Sequence, residues 1–280
     1  MQLIVFSKFF RERTPAELAA LAHKHGFDGW DLCVRPEYPV NPENAATALP
    51  EAVRLLKQEG VSLPQVTGNF DLLAPDHPTA EPILAAMEQA EVRLLKLGYY
   101  TFDPATQDYW AEVDRVRRLF AGWQELGEKY GVKIMYHTHS QRCLGLNCAA
   151  LMHLLQGCDP RYMGAYIDPA HMLVEGEEFA LGVAMVEKYL SSVALKDVAL
   201  GRTATTTHGR AVPDWTPAGQ GMVNWTAVFA TLVSRGFAGP LSVHCEYEFP
   251  PEESEQALHG EVQFFREALN RAQQARGEAK

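Results

Sequence analysis

The sequence of 280 residues has no long apolar run and no long basic run. No stretch approaches the roughly eighteen consecutive apolar residues that a membrane span needs, so a membrane partner is not expected. The net charge of -10 and the missing basic stretch argue against nucleic acid as a partner. The first residues lack the apolar core and the cleavage pattern of a secretory signal. These absences predict a soluble, cytoplasmic protein.

The cysteines show no paired spacing. They are odd in number, no two are spaced as Cys-x-x-Cys, and the five are Cys33, Cys143, Cys148, Cys158 and Cys245. Reduced thiols in a cytoplasm explain this usage better than a disulfide framework does.

Apolar runs followed by amphipathic stretches repeat eight times along the chain. The predicted strands cover residues 3–6, 29–34, 63–67, 93–97, 133–137, 163–167, 193–198 and 241–245. Strict alternation of strand and helix implies parallel strands. Eight units in this length imply a closed (β/α)8 barrel, a TIM barrel, as a single domain over residues 1–280. An open doubly wound sheet is the alternative, but no Gly-x-Gly-x-x-Gly follows the first strand.

Capping residues and helical spacing place the helices between these strands. Thr14, Pro15 and Glu17 form the expected start of the first helix, and Gly26 forms its end. The later helices are predicted from Pro50 to Gly60, over 79–90, 109–130 and 147–157, from Phe179 to Leu190, after the cap Asn224, and over 254–272. Residues 201–221 are expected to form a long polar loop.

The carboxyl ends of the predicted strands carry polar residues of the metal-binding and acid/base kind, and in a TIM barrel this end holds the active site. Because side chains alternate along a strand, His137 shares a face with His139, and His244 shares a face with Glu246. Lys196 ends the seventh strand. Taken singly, each residue has an ordinary explanation, such as a half-buried histidine, a solvated turn or a structural ion pair.

The sixth strand ends in Asp168-Pro169-Ala170-His171. The proline stops the strand, and the Asp and His side chains can converge on one small volume. The plain alternative is that Asp168 only caps the following helix. Burying several ionisable groups together is costly unless they are paired or bind a cation. Imidazole with carboxylate suits zinc, manganese, iron or cobalt rather than calcium.

Five segments, in this order, resemble those of the sugar phosphate isomerase/epimerase family, the xylose isomerase-like TIM barrels. They are GFDGWD at 26–31, YHTH at 136–139, DPAH at 168–171, LKD at 195–197, and GQG at 219–221 before Trp225. The resemblance covers most of the chain. It implies one divalent metal, Mn, Zn, Co or Mg, held by a Glu, an Asp, a His and a Glu on strands five to eight.

Only the Asp of that implied ligand set has its match here, in Asp168. The Glu of strand five corresponds to His137 and the His of strand seven to Ala194. The Glu of strand eight corresponds to His244, with Glu246 two residues further on. A rearranged metal set of His137, Asp168 and His244, or one that uses Glu246, remains open, and so does a metal-free relative.

The related apurinic endonucleases share this barrel and the Asp-x-x-His of strand six. The resemblance implies that they need a zinc cluster and further histidines on strands two to four. The ends of those strands here carry Arg35, Thr67-Gly68 and Gly98-Tyr99, without a histidine. Together with the acidic charge, this argues against nuclease activity.

The resemblance implies an isomerase or epimerase of a sugar-like hydroxy-carbonyl compound, which removes a proton next to the carbonyl. Such a reaction needs a base and an electrophile. Glu246 is the predicted base, with His139 or His171 as substitutes, and Lys196 or a metal is the predicted electrophile. Partial desolvation raises the pKa of such a glutamate, whereas a nearby cation lowers it.

A pocket for a small carbohydrate-like substrate is expected at the same end of the barrel. The residues predicted to line it are Trp30, Arg35, His139, His171 and Trp215. Two alternatives stay open: a lyase or dehydratase on an inositol- or keto-acid-like substrate, and a metal-free, non-catalytic carbohydrate-binding relative. A homo-oligomer is equally open.

Overall fold

A computed structural model describes residues 1–203 and 208–278 and contains a closed barrel of eight parallel strands. The barrel strands are β1 (Gln2–Phe6), β2 (Gly29–Cys33), β3 (Ser62–Thr67), β4 (Leu94–Lys96), β5 (Lys133–His137), β6 (Met163–Ile167), β7 (Leu190–Leu195) and β10 (Pro240–Val243). They pair in the order β1-β10-β7-β6-β5-β4-β3-β2, and β2 closes on β1. The predicted TIM barrel is therefore confirmed.

Helices follow the strands and surround the barrel. They are α1 (Pro15–His25), α2 (Ala45–Gln58), α3 (Ala80–Gln89), α4 (Tyr109–Tyr130), α5 (Cys148–Leu155), α6 (Pro169–Val174), α7 (Phe179–Val186), α8 (Trp225–Ser234) and α9 (Ser254–Glu278). The capping box of Thr14 and Glu17 forms as predicted, and Gly26 ends α1 in the left-handed conformation that glycine tolerates best. No helix among the described residues is long and apolar enough to cross a membrane.

Three helix boundaries differ from the prediction, and one of them is the end of α9, which continues to Glu278 instead of Ala272. Helix α2 begins at Ala45 and carries Pro50 in its interior. The side chain of Asn41 accepts backbone hydrogen bonds from Glu43 and Asn44, which starts the chain turning before the proline is reached. Leu190, predicted on a helix face, is the first residue of β7.

The predicted polar loop 201–221 is largely an antiparallel hairpin of β8 (Asp197–Arg202) and β9 (Ala211–Thr216). Its residues 204–207 lie outside the described part of the chain. The hairpin starts directly after Lys196 and brings Trp215 back over the barrel mouth, within 4.6 Å of the Lys196 Nζ. The strands of this hairpin do not alternate strictly between polar and apolar residues, so their sequence gives no clear signal for a strand.

Asp197 fixes the base of this hairpin. Its carboxylate accepts hydrogen bonds from the backbone N–H of Gly219 (2.9 Å) and Val223 (3.2 Å) and from Nε1 of Trp225 (2.9 Å). The 219–221 turn is thus held by a protein carboxylate.

The interior of the barrel changes from apolar to polar towards the carboxyl ends of the strands. Met135, Tyr166 and Ala194 pack together inside it. One layer higher on the same faces lie His137, Asp168 and Lys196, each nearly or fully buried. On these strands, the inward-facing residue that packs in the core is therefore followed two positions later by an inward-facing residue of the site.

Candidate active site

The barrel mouth contains a cavity of about 560 Å³. Of the residues predicted for the site, Arg35, His137, His139, His244 and Glu246 line it. The predicted pairing of faces, His137 with His139 and His244 with Glu246, is confirmed.

Lys196 lies at the centre of the buried polar groups. Its Nζ is 2.5 Å from Oε2 of Glu246, 2.9 Å from Nε2 of His171 and 3.3 Å from Oδ2 of Asp168. The indole of Trp215 covers it. Burial opposes the charge of Lys196, but Asp168 and Glu246 outweigh this and raise its pKa. Lys196 is therefore an ammonium ion, shared by two carboxylates.

His171 completes the surroundings of this ammonium. Nδ1 of His171 lies 2.8 Å from Oγ of Ser140. Burial, reinforced by Lys196, holds the pKa of His171 well below its usual range, so the imidazole is neutral. The backbone N–H of Ser140 also donates to this Nδ1, at 3.2 Å. Ser140 therefore holds one ring nitrogen of His171, and Lys196 lies against the other.

Asp168 both caps the following helix and belongs to the site, the two roles that the sequence left open. Oδ1 of Asp168 accepts the backbone N–H groups of Ala170 (2.9 Å) and His171 (3.1 Å), and so caps helix α6. Its Oδ2 faces the site and lies 3.5 Å from Nε2 of His137. One carboxylate thus positions the helix that carries His171 and pairs with Lys196.

Two tyrosines orient two of the histidines. The hydroxyl of Tyr99 lies 2.8 Å from Nδ1 of His137, and that of Tyr166 lies 2.8 Å from Nε2 of His244. Burial, with Lys96 and Lys196 nearby, lowers the pKa of His137 well below its usual range. His137 is therefore neutral, with a fixed ring.

Glu246 is the carboxylate that faces the cavity, with a side chain that is 20% exposed. Lys8 reaches it from the other side, at 2.8 Å from Oε1. Burial alone would raise the pKa of Glu246, but Lys196, His244 and Lys8 hold it well below its usual range. Of the two influences expected from sequence, the nearby cation prevails. Glu248, two residues further on, is exposed.

His139 lies at the rim of the cavity. Its ring packs in tilted orientations against His171, at 4.0 Å, and against Tyr99, at 4.5 Å between centroids. Burial and the charge of Lys196 lower its pKa to about 4. At neutral pH the ring is an uncharged hydrogen-bonding group next to the substrate space.

Two charged residues of the barrel interior were missed in the sequence. Lys96 ends β4 and lines the cavity, and burial together with the nearby Arg35 lowers its pKa to about 7. Asp31, on β2, lies below the cavity and accepts hydrogen bonds from Gln65 (2.7 Å), Thr67 (2.7 Å) and Ser242 (3.0 Å). Extending the two-residue alternation to strands two and four would have identified both, since each falls on the inward face.

Trp30 does not belong to the site, contrary to the prediction. Its indole is fully buried on the outer side of β2, packs against Phe10 and Phe27, and donates a hydrogen bond from Nε1 to the carbonyl of Leu18. The neighbouring Asp31 points inward, so the alternation of the strand turns Trp30 towards α1. It is a core residue.

The family model for the xylose isomerase-like TIM barrel matches residues 19–268. The chain belongs to the xylose isomerase-like TIM barrel family. A comparison of the sequence with curated proteins gave no match.

Solved structures with a similar fold include two epimerases and a dehydratase. A D-psicose 3-epimerase from Clostridium cellulolyticum H10, in complex with D-tagatose, has a TM-score of 0.73 at 14% identity, covering 96% of this chain and 99% of that one. The 3-keto-D-glucoside 4-epimerase YcjR from E. coli has 0.74 at 15%, covering 95% and 99%. The probable 3-DHS dehydratase AsbF from Bacillus anthracis has 0.69 at 14%, covering 94% and 98%. At these identities the likeness establishes the fold.

The side chains at the barrel mouth do not reproduce the metal-ligand set implied by the resemblance to the xylose isomerase-like barrels. Ala194 offers no ligand, and Nε2 of His244 is engaged by Tyr166. Nε2 of His137, Nδ1 of His244 and Oδ2 of Asp168 lack hydrogen bonds and have free lone pairs. However, the Lys196 ammonium lies against the carboxylates of Asp168 and Glu246.

Across residues 1–203 and 208–278, no group of three or more His, Cys, Asp or Glu side chains is arranged to hold a metal ion. A divalent cation placed among these carboxylates would also be repelled by the buried ammonium. The residues present therefore do not fit a divalent ion as arranged, and Lys196 supplies the positive charge between the carboxylates.

Proposed function

We propose that the barrel mouth catalyses the isomerisation or epimerisation of a sugar-like hydroxy-carbonyl compound. A proton is removed from the carbon next to the carbonyl and returned at another position or on the other face. Membership of the family and the epimerase folds above support this class of reaction. The observation that carries it here is the carboxylate of Glu246, which lines the cavity and pairs with the buried ammonium of Lys196.

In this proposal Glu246 accepts the proton from the substrate carbon. As the proton arrives, negative charge leaves the carboxylate and appears on the substrate oxygen as an enediolate. Lys196 touches Glu246 at 2.5 Å, so an oxygen bound beside that carboxylate stays close to the same ammonium. A positive charge held in place before the reaction stabilises the enediolate without reorganisation.

The low pKa of Glu246 makes it a weak base in the free protein, and the proposal accounts for this through the same ammonium. A substrate oxygen that takes over one of the Lys196 hydrogen bonds weakens the hold of Lys196 on the carboxylate. The pKa of Glu246 then rises towards the range at which a carboxylate can exchange protons with carbon. Binding and activation of the base are thereby coupled.

The neutral His139 and Trp215 are proposed to contact the substrate, with His171 acting from beneath as a positioning residue for Lys196. His139 offers a hydrogen-bonding nitrogen at the rim, and Trp215 offers an apolar face next to the ammonium. Carbohydrate C–H surfaces pack on such faces. A small carbohydrate-like molecule in a cytoplasmic setting, in line with five free thiols, is the expected partner.

Dehydration of a related compound is the second candidate, because it begins with the same proton abstraction and a dehydratase shares the fold. The two are separated by product analysis. The protein is incubated in D₂O with a panel of ketoses and sugar acids, and products are followed by NMR and mass spectrometry. Deuterium at the carbon next to the carbonyl without loss of water supports the proposal. Loss of water supports dehydration, and no reaction across the panel supports a binding protein.

A further inference from the structure

Two cations in the cavity have no carboxylate partner. Arg35 and Lys96 are 6% and 4% exposed, and both line the cavity. Within residues 1–203 and 208–278, neither forms a salt bridge. Buried charges are normally paired, because an uncompensated one costs several kcal/mol. An unpaired pair of cations in a substrate cavity therefore calls for an anion that is supplied from outside.

Local contacts aim both groups at the cavity. Nε of Arg35 donates to the carbonyl of Gly68 at 3.1 Å, and its guanidinium lies over the ring of Phe70 at 4.3 Å. This leaves its two terminal nitrogens for a ligand. Nζ of Lys96 lies 4.0 Å from the ring centroid of Tyr99, a contact that uses the charge and leaves its N–H donors free.

The nearby carboxylates are already engaged. Asp31 accepts hydrogen bonds from Gln65, Thr67 and Ser242. Glu246 is held by Lys196 and Lys8. Neither is within ion-pair distance of Lys96 or Arg35. Within the described part of the chain, Lys96 and Arg35 therefore have no carboxylate in direct contact, and Asp31 and Glu246 act on Lys96 only at longer range.

The position of the two cations also sets them apart from the proposed proton-transfer group. In the closed barrel, β4 lies opposite β10, with three strands between them in each direction. Lys96 ends β4, Arg35 follows β2, and Glu246 follows β10. A substrate that places its reacting carbon at Glu246 extends its far end towards Lys96 and Arg35.

We propose that Arg35 and Lys96 form an oxyanion subsite, so that the substrate is an acidic sugar derivative carrying a carboxylate or a phosphate rather than a neutral ketose. The planar guanidinium of Arg35 binds two oxygens of such a group. The ammonium of Lys96 binds the same group from another side. The inference rests on the proposed function for the orientation of the substrate, but not for the binding of the anion.

The test is equilibrium binding by calorimetry with three probes of similar size: inorganic phosphate, D-glycerate and the neutral glycerol. We expect one of the anions to bind at least about tenfold more tightly than glycerol. Preference for phosphate identifies a phosphorylated substrate, and preference for glycerate identifies a sugar acid. Equal, weak binding of all three would overturn the subsite.

Variants locate the site. Arg35→Met and Lys96→Met should each weaken the binding of the preferred anion by about tenfold or more, since charge-assisted hydrogen bonds are lost. Lys133→Met is the matched control, because Lys133 is a partly buried lysine at the opposite end of the barrel, on β5. Wild-type affinity in both cavity variants would refute the assignment.

Proton uptake provides a readout that needs no variant. The titratable and charged groups facing Lys96 are Asp31, Cys33, Arg35, Tyr99, His137, His139, Cys143 and Glu246. With the Lys96 pKa at about 7, anion binding at pH 8 should take up a proton, close to one per site, as calorimetry in buffers of different ionisation enthalpy measures. Uptake should vanish at pH 6 and in Lys96→Met. Uptake unchanged in that variant would contradict the role of Lys96.

These measurements separate the two proposals. If anion binding depends on Arg35 and Lys96 but no acidic hydroxy-carbonyl compound exchanges deuterium, the subsite is supported and the proton-transfer function is refuted. If neutral ketoses exchange deuterium and neither phosphate nor glycerate inhibits this exchange, the proton-transfer function is supported and the subsite is refuted.

Discussion

Lys196 and Glu246 are paired at 2.5 Å although they are 50 residues apart and follow different barrel strands. The pair is asymmetric, because Lys196 is 4% exposed and Glu246 is 20% exposed. The ammonium is thus a fixed part of the barrel interior, and the carboxylate is the member that meets a ligand. The family's motifs imply a divalent metal at this end of the barrel, but in this protein Lys196 supplies the positive charge.

Removal of this ammonium should destabilise the protein strongly. Lys196→Met leaves Asp168 and Glu246 without their shared cation, and breaking a buried pair from one side costs about 3–5 kcal/mol. Urea unfolding at pH 7.5 measures the change. Lys129→Met is the control, since the Lys129–Glu81 pair of 2.7 Å is exposed and its loss should leave the transition almost unmoved. Equal effects of the two variants would show that Lys196 is not held as described.

Lys96→Met should have the opposite effect on stability. The pKa of Lys96 is lowered by burial from 10.5 to about 7, so the unfolded chain binds the proton more tightly than the folded protein does. Lys96 therefore lowers stability at and below pH 7, and this cost fades as the pH rises towards 10.5. We expect Lys96→Met to raise the free energy of unfolding by at least about 1 kcal/mol at pH 7, and by less at pH 9.5. A destabilised variant at both pH values would contradict the unpaired state of Lys96.

Metal content should be low. Protein purified without chelator or added metal is expected to contain much less than one equivalent of divalent ion, because Lys196 lies between the carboxylates and Ala194 offers no ligand. Elemental analysis measures this. One equivalent of Mn, Zn, Co or Mg, lost in Asp168→Asn, would instead support the set of His137, Asp168 and His244 predicted from sequence. Lys196 would then have to move on metal binding.

The two tryptophans that the sequence predicts to line the substrate pocket should behave differently. Trp30→Ala empties a core position between β2 and α1 and should cost about 3–5 kcal/mol of stability. Trp215→Ala should change stability by at most about 1–2 kcal/mol, because its indole is half-buried over Lys196, but it should lower kcat/KM about tenfold. Unfolding curves and initial rates on one active substrate measure both. The reverse pattern would place Trp30, not Trp215, at the site.

The fold was predictable because it depends on local signals. The first and fourth helices match the predicted spans, since Thr14, Gly26, Asp108 and Gly131 cap them with side chains or left-handed glycines. Alternating polarity placed His137, Asp168, Lys196 and His244 on one inner surface. Pro50 was misplaced because the turn at Asn41 starts helix α2 earlier in the chain. Leu190 was misplaced because strand pairing in the barrel overrode the helical spacing.

The composition of the site was only partly predictable. The alternation that places His137 on the inner face, applied to every strand, excludes Trp30 from the site and includes Asp31 and Lys96. Other features depend on tertiary contacts that no local pattern contains. Lys8 reaches Glu246 across 238 residues of sequence, and Trp215 is brought to Lys196 by a hairpin. The charge state of Glu246 follows from these two lysines.

Solvent-deuterium exchange in the Glu246→Gln variant tests the central claim most directly. Once the substrate panel has supplied an active compound, NMR in D₂O follows exchange at the carbon next to the carbonyl in wild-type protein, Glu246→Gln and Glu248→Gln. A neutral amide cannot accept the proton, so Glu246→Gln should slow exchange by about 100-fold or more while the unfolding transition remains cooperative. Glu248 is exposed, so Glu248→Gln should exchange at nearly the wild-type rate. Near-wild-type exchange in a folded Glu246→Gln protein would contradict the account, because the carboxylate paired with Lys196 would then not be the proton acceptor.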